Sequence, residues 1–222
     1  FWIRILINGR PFWLAGEHGK TDSLITCKSL TNRPLESALF LLQKEKNPEF
    51  VDVGANLGQS LILGKAEGNF PVICYEPSLA CSKKLEEIIQ KNQFRNVHLR
   101  KTALGNQPGH LKLFSENETD PNASVVPGFR NNTAQCTSVP VTTLDNELAE
   151  KNIKNPKLIK IDVEGGELDV LKGGLVVLQK HRPILCIETL FTVNPSHKNR
   201  QMEMAEILQR SEEHTSELQS RV

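Results

Sequence analysis

Residues 49–77 read "EFVDVGANLGQSLILGKAEGNFPVICYEP", and the fold turns on how that stretch divides. A short β-branched apolar run ends at the acid Asp52, and Gly54 and Gly58 then bracket Asn56. Gln59 to Gly68 follows with a helical pattern, and a second apolar run closes on the acid Glu76. Short apolar runs bounded by turn residues are buried strands, so the order is strand, turn, helix, strand. A helical crossover joins parallel strands, and parallel strands bring their tips to one side of the sheet. The stretch therefore sets a glycine turn beside an acid, at the edge where such sheets bind ligands.

The alternation continues outward. "SLACSKKLEEIIQKN" (Ser78 to Asn92) reads as a helix capped by Ser78, and "VHLRKTALG" (Val97 to Gly105) as a further strand. "HLKLF" (His110 to Phe114) is expected to be a short strand, and Ser115 to Cys136, rich in Asn, Ser and Pro, a long substrate-facing loop. "VTTLDNELAEKN" (Val141 to Asn152) reads as a helix opened by a Thr or Asp cap. "KLIKIDVEG" (Lys157 to Gly165) is a strand, Gly166 to His181 a helix interrupted at Gly173-Gly174, and "PILCIET" (Pro183 to Thr189) a strand. Upstream, "IRILINGRPFWLAGE" alternates about Asn8-Gly9, a strong hairpin signal, because both turn positions need positive φ. "PLESALFLLQK" (Pro34 to Lys44) is an amphipathic helix with proline in its first turn. The order βαβαβ predicts an α/β fold, a parallel sheet with helices on both faces. Residues 1–48 form an N-terminal hairpin-and-helix appendage and 49–209 the main domain.

Composition narrows the function. The 222 residues carry a formal net charge of +1, from 27 basic and 26 acidic residues, which points away from nucleic acid and from membrane surfaces. No apolar run approaches the length of a membrane helix, and no signal-peptide pattern is present, although the chain opens on Phe1. The five cysteines are widely spaced with no CxxC, which suits reduced thiols in a cytoplasmic setting and argues against a zinc site. Sequons at Asn117, Asn122 and Asn131 are read as chance.

Four strands end on acids: Asp52, Glu76, Asp162 and Glu188. Like charges gathered at one rim cost energy unless a cationic or hydroxyl-rich ligand sits among them. A dinucleotide fingerprint needs a second glycine where this chain has Asn56, and no Walker lysine is present. A turn of this kind, with an acid ending the next strand, suits a nucleoside without phosphates. S-adenosylmethionine has that shape, and its sulfonium charge suits an acidic rim. Adenine recognition falls to backbone groups around Thr102, Ala103 and Leu104.

These residues also carry a resemblance. "FVDVGANLGQS", "CYEPS", "KTALGNQPG", "VPVTTLDNEL", "LIKIDVEGGELDVLKGG" and "RPILCIET" closely resemble, in this order, the motifs of the FkbM-type S-adenosylmethionine-dependent methyltransferases. The resemblance spans about Phe50 to Thr189. It implies a class I, Rossmann-like methyltransferase fold and O-methylation of a sugar, glycolipid or polyketide-like small molecule. It also implies that Asp52, Gly54, Asn56 and Gly58 line the methionine end of the cofactor, that Glu76 holds the ribose, and that Asp162 and Glu164 lie near the transferred methyl group.

Methyl transfer to an alcohol gains from a base placed to take the hydroxyl proton, and Asp162 and Glu164 are the candidates. Glu167 is read instead as an acid that stabilises the start of the next helix. A divalent cation held by Asp162, Glu188 and a neighbour is an alternative, though no ligand triplet shows in the spacing. Two other classes stay open: an NAD- or other nucleotide-binding module without transferase activity, and a scaffold that binds no cofactor. The tail Arg210 to Ser220, "RSEEHTSELQS", matches a common sequencing adapter codon by codon, so 210–222 are read as an assembly artefact. The last strands of the class I fold are then expected to be missing, leaving the strand at Ile184 to Thr189 as an exposed apolar edge.

Overall fold

The computed structural model describes residues 2–15, 32–115, 135–189 and 199–209. Its centre is a five-stranded parallel sheet of β3 (Glu49–Val53), β4 (Val72–Tyr75), β5 (Val97–Arg100), β9 (Pro156–Ile161) and β10 (Ile184–Ile187). The spatial order is β10-β9-β3-β4-β5, every neighbour parallel. Side chains alternate across a strand, and here both faces are covered. Val51, Val53, Ile159 and Ile161 enter one buried cluster, while Phe50, Leu158, Val72 and Cys74 enter another. That is why β3, β4 and β9 read as largely apolar runs.

Helices α1 (Arg33–Leu42), α2 (Gln59–Glu67) and α3 (Leu79–Lys91) supply apolar residues to the second cluster. Helices α4 (Leu144–Ala149), α5 (Glu167–Lys172) and α6 (Leu175–His181), with a further helix α7 at 199–209, pack on the first. The caps follow the sequence. Asn32 accepts from the Leu35 N–H at 3.0 Å, Ser78 from Cys81 at 3.3 Å and Thr143 from Asn146 at 3.0 Å. Each meets an amide that has no partner within its helix.

The hairpin forms as its turn requires: β1 (Trp2–Ile7) and β2 (Arg10–Ala15) pair antiparallel about Asn8 and Gly9, both at positive φ. It is seated on α3. The Asn92 side chain accepts from the Trp13 N–H at 2.7 Å and donates to its carbonyl at 2.8 Å, and the Lys91 ammonium lies 4.9 Å from the Trp13 ring centroid.

Two expectations need correction. "VHLRKTALG" is not one strand: β5 ends at Arg100, and Ala103–Leu104 (β6) joins β7 (Gly109–Ser115) and β8 (Gln135–Thr142) in a separate three-stranded sheet, ordered β6-β8-β7. The Thr102 hydroxyl donates to the Pro140 carbonyl at 2.9 Å, turning the chain off the large sheet. Likewise "VTT" is not helical from Val141. It ends β8 (Gln135–Thr142), which pairs antiparallel with β7 (Gly109–Ser115), and the helix starts only after Thr143. The expected loop from Ser115 to Cys136 is thus strand at both its ends. The rest of that loop, the three sequons, Cys27 and the tail 210–222 lie outside the described residues. Cys74, Cys81, Cys136 and Cys186 are free thiols.

β10 pairs with β9 alone among the described residues, which leaves it at the sheet edge with each residue half-buried. No described helix is long and apolar enough to cross a membrane.

Candidate functional site

Chain order reverses between β3 and β9. From β3 the sheet is built outward through β4 and β5, and later on the other side through β9 and β10. Ligands of open α/β sheets bind at such a reversal, beyond the carboxyl ends of the strands. A cleft lies there. Gly54 and Asn56 line it after β3, Tyr75 and Glu76 at β4, Thr102 to Leu104 around β6, Asp162 to Glu164 after β9, and Glu188 after β10. Eight of the ten residues assigned from the sequence to cofactor binding or catalysis share this wall. Asp52 and Gly58 do not: Asp52 is fully buried beneath it, and Gly58 begins α2, packed against Leu85 of α3.

Gly54 serves the packing of the sheet. Its φ is +80°, and a Cβ added there stands 1.9 Å from the Asp162 carbonyl oxygen. The tips of β3 and β9 approach closely only because the side chain is absent. Asn56 follows at φ 50°, a left-handed conformation that asparagine tolerates, and turns its N–H toward Glu76.

The Glu76 carboxylate is held by two main-chain donors. Asn56 donates to Oε2 and Ser78 to Oε1, each at 2.8 Å. A carboxylate offers about four lone-pair sites, so acceptor capacity remains toward the cleft. Burial pushes the group up to about 7, against the downward pull of the two N–H donors.

A buried lysine, not singled out from the sequence, organises the β9 side. Lys160 lies opposite Asp52 in register, and its Nζ donates to Asp162 Oδ2 at 2.8 Å, with Asp52 Oδ1 at 3.9 Å. Among the described residues neither Asp52 oxygen has a hydrogen bond, and burial pushes this carboxyl up to about 6 although the Lys160 charge pulls it down. Burial alone lowers the Lys160 ammonium, but Asp52 and Asp162 together overcome it and hold it above its ordinary value. The signal was present in the sequence: a lysine stands inside the apolar run "LIKI".

Glu164 stands at φ 53° and Gly165 at φ 101°, two left-handed residues in succession, and Glu164 lines the cleft. Glu167 turns back from the first turn of α5. Its Oε1 accepts from Gly165 at 3.0 Å and Val163 at 3.3 Å, so it supports the loop, in keeping with its reading as a helix-start residue. Arg200 of α7 donates to the Gly165 carbonyl at 3.1 Å and to Asp169 at 2.8 Å, tying a distant segment to the same loop.

Thr102, Ala103 and Leu104 line the cleft as expected, but β6 is paired to β8 and so commits part of their main chain. With Leu113 of β7 they form mainly an apolar wall. Leu113 and Tyr75 went unnoticed in the sequence. Leu113 reaches the cleft only because β7 folds back on β8, and Tyr75 reads there as one more apolar strand residue. Among the described residues no three His, Cys, Asp or Glu side chains are gathered to hold a metal ion.

Comparison with known proteins bears on family and fold. A family model described as "Methyltransferase FkbM domain" matches residues 52–218. "Methyltransferase 1" of Beauveria bassiana (strain ARSEF 2860) is 27% identical over 142 residues, covering 55% of this chain and 57% of that protein. The chain thus spans little more than half of that relative. A methyltransferase FkbM from Methylobacillus flagellatus KT superposes with a TM-score of 0.48 at 23% identity, over 70% of this chain and 37% of that one. An S-adenosylmethionine-dependent methyltransferase from Agrobacterium tumefaciens superposes with a TM-score of 0.50 at 10% identity, over 95% of this chain and 58% of that one, a likeness of fold.

Proposed function

Because the chain belongs to the family of methyltransferase FkbM domains, we propose that it is an S-adenosylmethionine-dependent methyltransferase acting on a hydroxyl oxygen of a small molecule of sugar, glycolipid or polyketide type. The observation that carries the reading is the Glu76 carboxylate, pinned by the Asn56 and Ser78 amides at the cleft wall. A ribose diol brings two O–H donors, the complement of its remaining lone pairs. No lysine or arginine lines the cleft among the described residues, which suits a nucleoside without phosphates and disfavours NAD.

When bound, the cofactor supplies an electrophilic methyl group on a sulfonium, and in-line placement of the acceptor provides much of the catalysis. Glu76 binds the ribose hydroxyls. The turn at Gly54 and Asn56 brings main chain to the cofactor's amino-acid end, and Thr102 to Leu104 wall the adenine. Asp162 takes the acceptor's hydroxyl proton on Oδ1, since Oδ2 is committed to Lys160. Glu164, across the same turn, is the second carboxylate placed to orient that hydroxyl. The balanced net charge supports a small-molecule acceptor rather than nucleic acid, and the scattered cysteines support a cytoplasmic setting.

Isothermal titration of the full chain with S-adenosylhomocysteine and with NAD tests the reading: the first should bind and the second should not. Glu76→Ala should weaken S-adenosylhomocysteine by ~1–3 kcal/mol, the cost of losing a charged hydrogen-bond acceptor. Unchanged affinity would remove Glu76 from the site.

A further inference from the structure

We propose that Lys160 is a positioning residue that sets the charge at the Asp162 end of the cleft and thereby decides how strongly the protein prefers the cationic sulfonium cofactor to its neutral thioether product. The inference rests on the function proposed above. It starts from an unusual placement. Lys160 sits in the middle of the sheet, its side chain only 9% exposed, flanked in register by Asp52 on β3 and Cys186 on β10. An ammonium there loses its hydration, and an apolar residue at such a position often serves stability as well or better. The fold keeps the charge, and keeps it in contact with a cleft residue: Nζ is 2.8 Å from Asp162 Oδ2 and 3.9 Å from Asp52 Oδ1.

Two carboxylates against one ammonium leave a single negative charge in this group. The other ionisable groups facing Lys160 are Glu188 beyond β10, Glu76 beyond β4, and the buried thiols Cys74 and Cys186. Methyl transfer removes one positive charge from the cofactor and leaves the rest of that molecule unchanged. A cleft with one more negative charge therefore grips the sulfonium harder without gripping the thioether harder. A cleft with one fewer loses part of its preference. Lys160 holds the site between these extremes, where cofactor binds and product still leaves. It acts through Asp162, which lines the cleft, since Lys160 itself does not.

The ratio of affinities for S-adenosylmethionine and S-adenosylhomocysteine reads this charge directly, with no acceptor needed. It should be measured by titration calorimetry at low salt and about pH 8.5, where carboxylates are ionised. Lys160→Met should raise the preference for the cationic ligand by on the order of tenfold, and Asp162→Asn should lower it similarly, one unit charge at short range in each case. The double variant Lys160→Met/Asp162→Asn restores the net charge and should return near the wild-type ratio, as should Lys160→Arg. In Lys160→Met the raised preference should fade as pH falls and the facing carboxylates share a proton. If Lys160→Met does not fold, Asp162→Asn against the double variant decides the question. Parallel losses of both ligands, with a ratio within about twofold of wild type in every folded variant, would mean that Lys160 is structural only and overturn the inference. A wild-type protein that binds neither ligand removes the proposed function, and this inference with it.

Discussion

Replacing Gly54 with alanine tests the geometry on which the whole cleft depends. The added Cβ meets the Asp162 carbonyl oxygen at 1.9 Å and its carbon at 2.9 Å, whereas real Cβ contacts essentially never fall below 3.0 Å. Both partners are main chain in neighbouring strand tips, so relief requires β3 and β9 to part by about an ångström. The φ of +80° adds its own cost, roughly 1–2 kcal/mol for a residue with a Cβ. Forcing an atom into a packed interior typically costs a further 1–3 kcal/mol, so the total is about 2–5 kcal/mol. Gly9→Ala is the control. Gly9 has φ +74° but nothing within 4 Å of the added Cβ, so it carries the backbone cost without the clash. Urea denaturation of both variants yields the difference, and S-adenosylhomocysteine titration shows whether the separated tips still form a site. Gly54→Ala should be clearly the less stable and should bind more weakly. If it is no less stable than Gly9→Ala, the close approach of β3 and β9 is not what the turn requires.

Asp162→Asn should lower turnover by about 10²–10⁴ while changing S-adenosylhomocysteine affinity far less, on an acceptor found by screening with methyl-labelled cofactor. Equal losses in both would make Asp162 a cofactor ligand and not a base. Glu76 at about 7 and Asp52 at about 6 lie above their ordinary values of 4.5 and 3.8, so the folded protein holds these protons longer than the unfolded chain. Their stabilising contribution is complete below the ordinary values and is lost as pH rises through about 6 to 7, so the ligand-free Tm should be higher near pH 5 than near pH 8. Ligand binding should run the other way. Only ionised Glu76 can accept from both ribose hydroxyls, so S-adenosylhomocysteine should bind about tenfold more weakly at pH 6 than at pH 8 by calorimetry. Tyr75→Phe removes the 2.7 Å hydrogen bond to Glu147, a side chain only 1% exposed whose other oxygen meets Arg100 at 3.3 Å. Leaving that carboxylate short of a donor should cost ~1–3 kcal/mol, read as a lower urea midpoint.

Much of the fold was legible because local chemistry and global packing agree here. The apolar runs at β3, β4 and β9 are buried on both faces, and burial on both faces leaves little polar alternation to confuse them. Asn8-Gly9, Ser78 and Thr143 fill positions whose backbone demands belong to the residue itself. Where the reading missed, the deciding partner lay far along the chain. Val97 to Gly105 looks like one strand because each residue favours extended backbone. It is divided because Ala103 and Leu104 pair with Val141 and Thr142 instead of continuing along β4. The same distant pairing made Cys136 to Thr142 a strand and brought Leu113 to the cleft wall.

The sequence by itself determined the strand-turn-helix rhythm, the acids at the strand tips and the family these motifs mark, since each is a property of residues close together in the chain. Which of those acids line the cleft was decided by the tertiary structure alone. Asp52 and Asp162 look alike as strand-end carboxylates, yet one is sealed under the cleft and the other lines it, because Asp52 lies within β3, paired on both sides, while Asp162 lies just past the end of β9 in the turn that follows. Lys160 belongs to the same lesson. In the chain it is one lysine in an apolar run, and only the register of β9 against β3 makes it the charge between two acids.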